Sequence, residues 1–200
     1  RSFDGISFDE PIVYDSPKTY AENLSVLKEN IDSLTQGVNI KLLVAGVPGV
    51  LDPTRSIVLN SSHQPDWKNR EAKKDMEKLF DTEVILENDA ALVGLGEYIA
   101  GAGDRSDNMV YVTVSTGIGS VKIVNGVFDK NEYGFEIGYQ ILNNQTGENF
   151  EELASGTMVE KKFGLHPKEV AKTANWREIE KNIAIVLSVY KKNLLLNIDN

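Results

Sequence analysis

Three stretches of this chain carry residue types whose arrangement could do chemistry. The first is Asn88-Asp89, which follows the apolar run Val84-Ile85-Leu86 and precedes a helical pattern starting at Ala90. In open α/β sheets ligands collect at the carboxyl ends of strands. An aspartate there can accept a proton from a substrate hydroxyl lying within about 2.6–3.2 Å. Asn88 adds a donor and an acceptor suited to a polyol. A plain helix cap needs only a side-chain oxygen at this place, and the tripeptide Glu87-Asn88-Asp89 alone does not separate the two uses. The second stretch, Ser115-Thr116-Gly117-Ile118-Gly119-Ser120, lies between two strand patterns. Its glycines would let successive N–H groups point at a phosphate oxygen, with the Thr116 hydroxyl beside them. A glycine-bearing hairpin turn explains the same residues. The third is the carboxylate pair Glu136 and Glu151. Glu136 sits in Gly134-Phe135-Glu136-Ile137-Gly138, an apolar setting unusual for a surface charge. Glu151 opens a helix, where a carboxylate is favourable through the dipole alone.

The elements that must hold these groups alternate between strand and helix. Ser16 or Thr19 can cap a helix whose Tyr20, Leu24, Leu27, Ile31 and Leu34 fall on one face, with Gly37 ending it. Ile40 to Ala45 is a nearly continuous apolar run and reads as a strand buried on both faces, stopped by Gly46-Val47-Pro48-Gly49. Pro11–Tyr14 reads as a short extended segment. A helix with Ala72, Met76, Leu79 and Phe80 on one face precedes the Val84–Leu86 strand. The helix from Ala90 to Ala100 turns Leu92, Leu95 and Ile99 to one side. Its Gly94 and Gly96 each cost about 1 kcal/mol relative to Ala, which implies close packing against a neighbour. Gly101–Asp107 reads as a linker. Strands follow at Met109–Ser115 and Val121–Val124, with a hairpin turn at Asn125-Gly126. Helices are expected over Phe150–Phe163 and Ile179–Leu196. Trp67 and Trp176 read as packing residues, and the charges of 71–78 as a solvated helix face.

Composition narrows the classes. The 200 residues include 30 Asp and Glu against 21 Lys and Arg, a net charge of −9, so a broad phosphate-backbone footprint is not expected. No cysteine is present, which excludes disulfides, thiolate nucleophiles and Cys-ligated zinc. The two histidines, His63 and His166, lie far apart in sequence and do not suggest a metal cluster. No apolar run approaches the roughly 18 residues of a membrane helix, and the first residues carry no signal pattern. The simplest expectation is a soluble cytoplasmic protein with no membrane partner.

Taken in order, these blocks resemble the ROK family of sugar kinases and sugar-responsive repressors. Gly46-Val47-Pro48-Gly49 resembles the family's GxPG segment, and Glu87-Asn88-Asp89-Ala90-Ala91 with Gly96-Glu97 its ENDA…GE block. Trp67 and the helix after it match the stretch before that block. Ser115–Gly119 resembles the second phosphate loop, Glu136-Ile137-Gly138 the heart of GEIGH, and Glu151 with Ala154-Ser155-Gly156 the E…ASG segment. The resemblance spans almost the whole chain and rests on the order of the blocks. It implies an α/β, actin-like (ribonuclease-H-like) ATPase fold in two lobes, 1–105 and 106–200, incomplete at both ends.

For the site, the resemblance implies that Asp89 is the catalytic base. It implies that Asn88, Gly117, Glu136, Tyr139 and Glu151 bind the sugar, and that Thr116 and Gly117 lie near the transferred phosphate. ATP and Mg²⁺ are the implied cofactors: Asp89 would take the proton as a sugar oxygen, the primary 6-hydroxyl, attacks the γ-phosphoryl group. Partners would be a sugar and a nucleotide, with a homodimer expected by family analogy and no nucleic acid bound through this segment. Two departures stand out. Tyr139 replaces the family's histidine, a sugar contact and zinc ligand, and polar Asn143–Asn149 occupies the region of its cysteine cluster, so no zinc is expected. Phe135 also replaces the glycine before the glutamate. The chain is expected to begin after the first phosphate loop, DxGGT, and to stop before most of the nucleotide site, so that this piece alone phosphorylates nothing. The rival readings are the sugar-sensing part of a repressor, for which a retained base has no use, and a degenerate kinase-like scaffold.

Overall fold

Thr19 starts the first helix for a local reason. Its side chain accepts the Glu22 N–H while the Glu22 carboxylate accepts from the Thr19 backbone, a complete capping box for α1 (Tyr20–Thr35). Gln36, at φ 50°, and Gly37 then close it in left-handed geometry. The computed structural model describes residues 1–61, 64–103, 106–129 and 134–196. His63 and Arg105 lie outside the described residues. Two compact units emerge, one from Arg1–Leu92 with Asn131–Gly134 and one from Val93–Lys130 with Phe135–Asn200.

In the first unit β1 (Leu43–Val47) pairs in parallel with β4 (Val84–Asn88), Gly46 opposite Glu87 and Val47 opposite Asn88. A parallel pair needs a crossover. Here it is supplied by the antiparallel β2 (Val50–Leu51) and β3 (Val58–Asn60), a 3-10 turn over Pro65–Trp67, and α2 (Ala72–Phe80). The core gathers Tyr20, Val47, Val58, Trp67, Met76 and Leu86. Tyr20 is its keystone: its ring meets Trp67 edge-on at 4.9 Å, and its hydroxyl donates to Asp75 at 2.9 Å. Burial, with the Asp75 carboxylate beside it, pushes the Tyr20 phenol above its usual range. The charged face of α2 is otherwise solvated, as Lys74–Glu71 shows. One expectation fails: β1 is buried on one face only. Val44 is 52% exposed and Ile85, its neighbour in register, 46%, because that face is uncovered among the described residues. Pro11–Tyr14 joins no strand.

The second unit is a meander of β5 (Asn108–Val114), β6 (Ile118–Val124) and β7 (Val127–Phe128) with helices packed on it. Asn125 and Gly126, both at positive φ, make the tight β6–β7 turn. The chain passes from the first unit to the second within α3 (Asp89–Ala100). A Cβ at Gly94 would stand 2.3 Å from Val121 Cγ1, so that glycine does permit close packing on the sheet. Gly96 meets nothing within 4 Å, and Ile99 is 51% exposed, so neither serves the packed face. Residues 150–163 form two helices instead of one, α4 (Phe150–Ala154) and α5 (Gly156–Phe163). Buried Ser155 takes an extended ψ of 154° between them, and its side chain caps α5 by accepting the Met158 N–H. The short α6 (Pro167–Val170), not anticipated, starts at a proline, where the missing N–H costs nothing. The long α7 (Trp176–Leu196) completes a core with Ile118, Ile137, Phe150 and Val186. No helix among the described residues is long and apolar enough to cross a membrane.

Candidate functional site

At the carboxyl end of β4 the side chain of Asn88 is fixed at both ends. Its Oδ1 accepts the Ala91 N–H at 3.0 Å, which makes it the cap of α3, and its Nδ2 donates to the Gly49 carbonyl at 3.0 Å. The cap bond settles which end of the amide is oxygen, so the remaining amide hydrogen has a fixed direction. Asp89 follows, exposed, with Oδ1 accepting the Ala90 N–H at 2.8 Å. Two glycines make room for this pair. Gly46 lies against it so closely that a Cβ would sit 3.3 Å from Asp89 Cα and 3.2 Å from Leu92 Cδ1. Gly49, at φ 114°, takes a conformation side chains avoid, and a Cβ there would overlap the Asn60 carbonyl at 2.1 Å. The Gly46-Val47-Pro48-Gly49 block therefore gives Asp89 its clearance and Asn88 its anchor.

Behind the pair lies a charge pair that sequence reasoning missed. Glu87 is 9% exposed; its Oε2 accepts from Arg55 Nε at 3.1 Å and its Oε1 from the Asn88 N–H at 2.8 Å. Arg55, at φ 55°, comes from the β2–β3 turn and also donates from Nη1 to the Asp52 carbonyl at 3.2 Å. The Asp52 carboxylate organises that turn. It accepts N–H groups from Thr54, Ser56 and Ile57 at 3.0, 2.7 and 2.6 Å, and the Thr54 hydroxyl. Burial pushes the Asp52 carboxyl up, but these hydrogen bonds, the Thr54 hydroxyl first, outweigh it and bring the pKa down to about 2. The Asp-Pro-Thr signature of such a turn was present in the sequence. Its link to Glu87, 32 residues on, was not.

In the second unit, Ser115–Gly117 is the three-residue turn of the β5–β6 hairpin, with the Ser115 N–H donating to the Gly117 carbonyl at 2.9 Å. The hairpin explanation thus holds for its backbone. The turn is also docked onto the start of α5: Gly156 and Thr157 N–H groups donate to the carbonyls of Ser115 and Thr116 at 2.7 and 3.1 Å. Thr116 is exposed, and its N–H and that of Gly117 have no partner among the described residues. Glu151, in the first turn of α4, accepts the Ile118 N–H through Oε2 at 2.8 Å. Gly138 fits between them, since a Cβ there would stand 2.8 Å from the Ile118 carbonyl and 3.7 Å from Glu151 Cβ. Ser120 clamps the preceding segment to β6, its hydroxyl donating to the Phe135 carbonyl and accepting the Ile137 N–H at 3.0 Å. That clamp holds half-buried Glu136 at the entrance of the 3-10 turn Ile137–Tyr139. Tyr139 is 49% exposed. Thr116, Gly117, Gly138 and Glu151 thus share one locale, while Asn88 and Asp89 belong to the first unit.

The polar turn after Tyr139 is held by its own side chains. Asn143 Nδ2 and the Thr146 hydroxyl donate to Glu148 Oε2 at 3.0 and 2.6 Å, and Asn149 with Glu152 forms a capping box for α4. Among the described residues no group of three His, Asp or Glu side chains could hold a metal ion.

Comparison with known proteins bears on what these parts are. The chain is 32% identical over 118 residues to the glucokinase of Thermotoga maritima, covering 58% of this chain and 37% of that protein. It is 31% identical over 99 residues to the xylose repressor of Bacillus subtilis, covering 48% and 25%. It spans about half the length of the curated relatives it matches, or less. Among solved structures, a ROK family glucokinase from Streptomyces griseus, in complex with glucose and AMPPNP, superposes with a TM-score of 0.63 at 24% identity. That match covers 73% of this chain and 49% of that one. The fold is therefore the α/β, actin-like ATPase fold of the ROK kinases. The sequence pattern that defines the family matches residues 9–191, and with it the chain belongs to the ROK family, which holds both sugar kinases and repressors.

Proposed function

We propose that this chain carries the sugar pocket and one phosphate loop of an ATP-dependent sugar kinase acting on a hexose or amino sugar. The observation that carries the reading is the exposed Asp89 carboxylate at the end of β4, beside an asparagine whose amide is held in one orientation. Asp89 accepts the proton of the attacking sugar hydroxyl, and the remaining Asn88 amide hydrogen donates to a hydroxyl beside it. Glu136 and Glu151 accept from other sugar hydroxyls. Tyr139 offers its phenol from an exposed position, in place of a histidine, and Gly117 lines the same locale. The unpaired N–H groups of Thr116 and Gly117 suit a phosphate oxygen, and ATP supplies the transferred phosphoryl group. Mg²⁺ would arrive with the nucleotide, bound to its phosphates. Zinc has no part in this reading.

The second reading is a sugar sensor, favoured by the likeness to the xylose repressor. A sensor needs the hydroxyl contacts and has no use for a base. Coupled ADP release by the full-length protein, with Mg-ATP and a panel of hexoses and amino sugars, separates the two. Sugar-dependent turnover that drops about 10²–10⁴-fold in Asp89→Asn, with sugar binding by calorimetry retained, is the expected outcome. Binding without turnover in the wild type would make the protein a sensor.

A further inference from the structure

We propose that Arg55 and Glu87 are a positioning pair that sets where Asp89 stands, acting through the Asn88 peptide, a role that rests on the reading of Asp89 as the base. A carboxylate with its side chain only 11% exposed is costly unless paired. An apolar pair of similar volume would fill the space at lower cost. What such a pair could not do is accept a hydrogen bond, and Glu87 divides its two oxygens for that purpose. One takes the Arg55 guanidinium; the other takes the backbone N–H of Asn88, the peptide that leads directly into Asp89. The far end of the chain of contacts is rigid too. Asp52 locks the turn with three backbone N–H groups, and Arg55 returns a second bond to the Asp52 carbonyl from Nη1. Arg55 thus reaches two acceptors through two nitrogens of one planar fork, which an ammonium on a flexible stem does not reproduce. The route runs from turn to guanidinium, to buried carboxylate, to the Asn88 peptide, to the reacting group. Neither residue needs to touch sugar or nucleotide.

The test is a double-mutant cycle in the full-length protein, with ATP and the hexose that gives the highest turnover. Arg55→Lys and Glu87→Gln should each lower kcat at least ~10-fold, since misplacement of about 1 Å can cost 10²-fold. The sugar KM should change less than about threefold, because the Asn88 side chain keeps its own anchors on the Gly49 carbonyl and the Ala91 N–H and the other sugar contacts are untouched. Added to Asp89→Asn, Arg55→Lys should lower the residual rate no further, since the group it positions is gone. A kcat for Arg55→Lys equal to wild type, or a loss that multiplies in the double variant, would overturn the pairing role. If Arg55→Lys fails to fold, judged by its thermal midpoint, Glu87→Gln carries the same cycle. An Asp89→Asn protein as active as wild type, or a wild type without turnover, overturns the base assignment and this role with it. A multiplying loss alongside a crippled Asp89→Asn overturns only the pair.

Discussion

Asn88 is a structural side chain as well as a proposed sugar contact, and its replacement should be felt first as lost stability. Its oxygen caps α3, worth about 1 kcal/mol, and its amide ties β4 to the Gly49 carbonyl, worth about 1 kcal/mol at a half-buried site. Asn88→Ala removes both and should destabilise the first unit by about 2 kcal/mol. Asn88→Asp keeps the cap, which the helix dipole favours, but loses the tie and turns a carboxylate toward a carbonyl; it should cost about 1 kcal/mol. Urea unfolding of the full-length protein, followed by Trp67 fluorescence in a background with every other tryptophan replaced by Phe, reads the unit concerned, because Trp67 lies in its core. An Ala variant within about 0.5 kcal/mol of wild type would refute the geometry. An Asp variant as costly as Ala would refute the cap.

Two further predictions follow from carboxylates with defined partners. Glu151→Gln replaces a carboxylate that already holds the Ile118 N–H, so calorimetry should show sugar affinity weakened at least ~10-fold through loss of a charge-assisted contact. An unchanged affinity would remove Glu151 from the pocket. Asp52 has a folded pKa of about 2 against 3.8 in the unfolded chain, so its contribution is complete above about pH 4 and fades as pH falls toward 2. Discounted for solvent screening, that contribution is about 1 kcal/mol. The unfolding midpoint of Asp52→Asn should lie below wild type at pH 7, and the gap should narrow steadily as pH falls from about 4 toward 2. A gap that is constant over that interval would show that the charge of Asp52 is not what holds the turn.

Much of the fold was legible because its signals are local. The first part of the α1 stripe (Tyr20, Leu24 and Leu27), the Thr19 cap, the Asn125-Gly126 turn and the strand ahead of Asn88 each depend on a few neighbouring residues, and each is found. What was illegible depended on partners distant in sequence. Nothing in the apolar run from Ile40 reveals that only one face of β1 is covered, since that depends on what packs there. Gly94 and Gly96 look alike in sequence, yet only Gly94 lies against the sheet. The break at Ser155 was readable in principle, as a serine ahead of Gly156, but the helical pattern on either side ran through it.

The site shows the same division, and there it bears on mechanism. The motif residues were recognisable by type and order, whereas the reason for each glycine beside them lies in a contact across the fold. Gly46 stands against Asp89, and Gly138 against Ile118 and Glu151. Gly46 lets its segment approach the Asp89 backbone more closely than a Cβ would comfortably allow, and Gly138 does the same against the carbonyl of Ile118, whose N–H Glu151 holds, with no need for unusual torsion. An alanine at Gly46 would press on the Asp89 backbone, and one at Gly138 on the Ile118 carbonyl; overpacked contacts of this kind typically cost 1–3 kcal/mol, about the size of one hydrogen bond or cap. Close backbone approach from one side and hydrogen bonds from the other hold these carboxylates without burying them. For Asp89 the supports are Gly46 in front and the Glu87–Arg55 pair behind, through the Asn88 peptide. That division of labour leaves the carboxylate exposed to a substrate while the peptide carrying it is fixed, which is the condition a general base must meet.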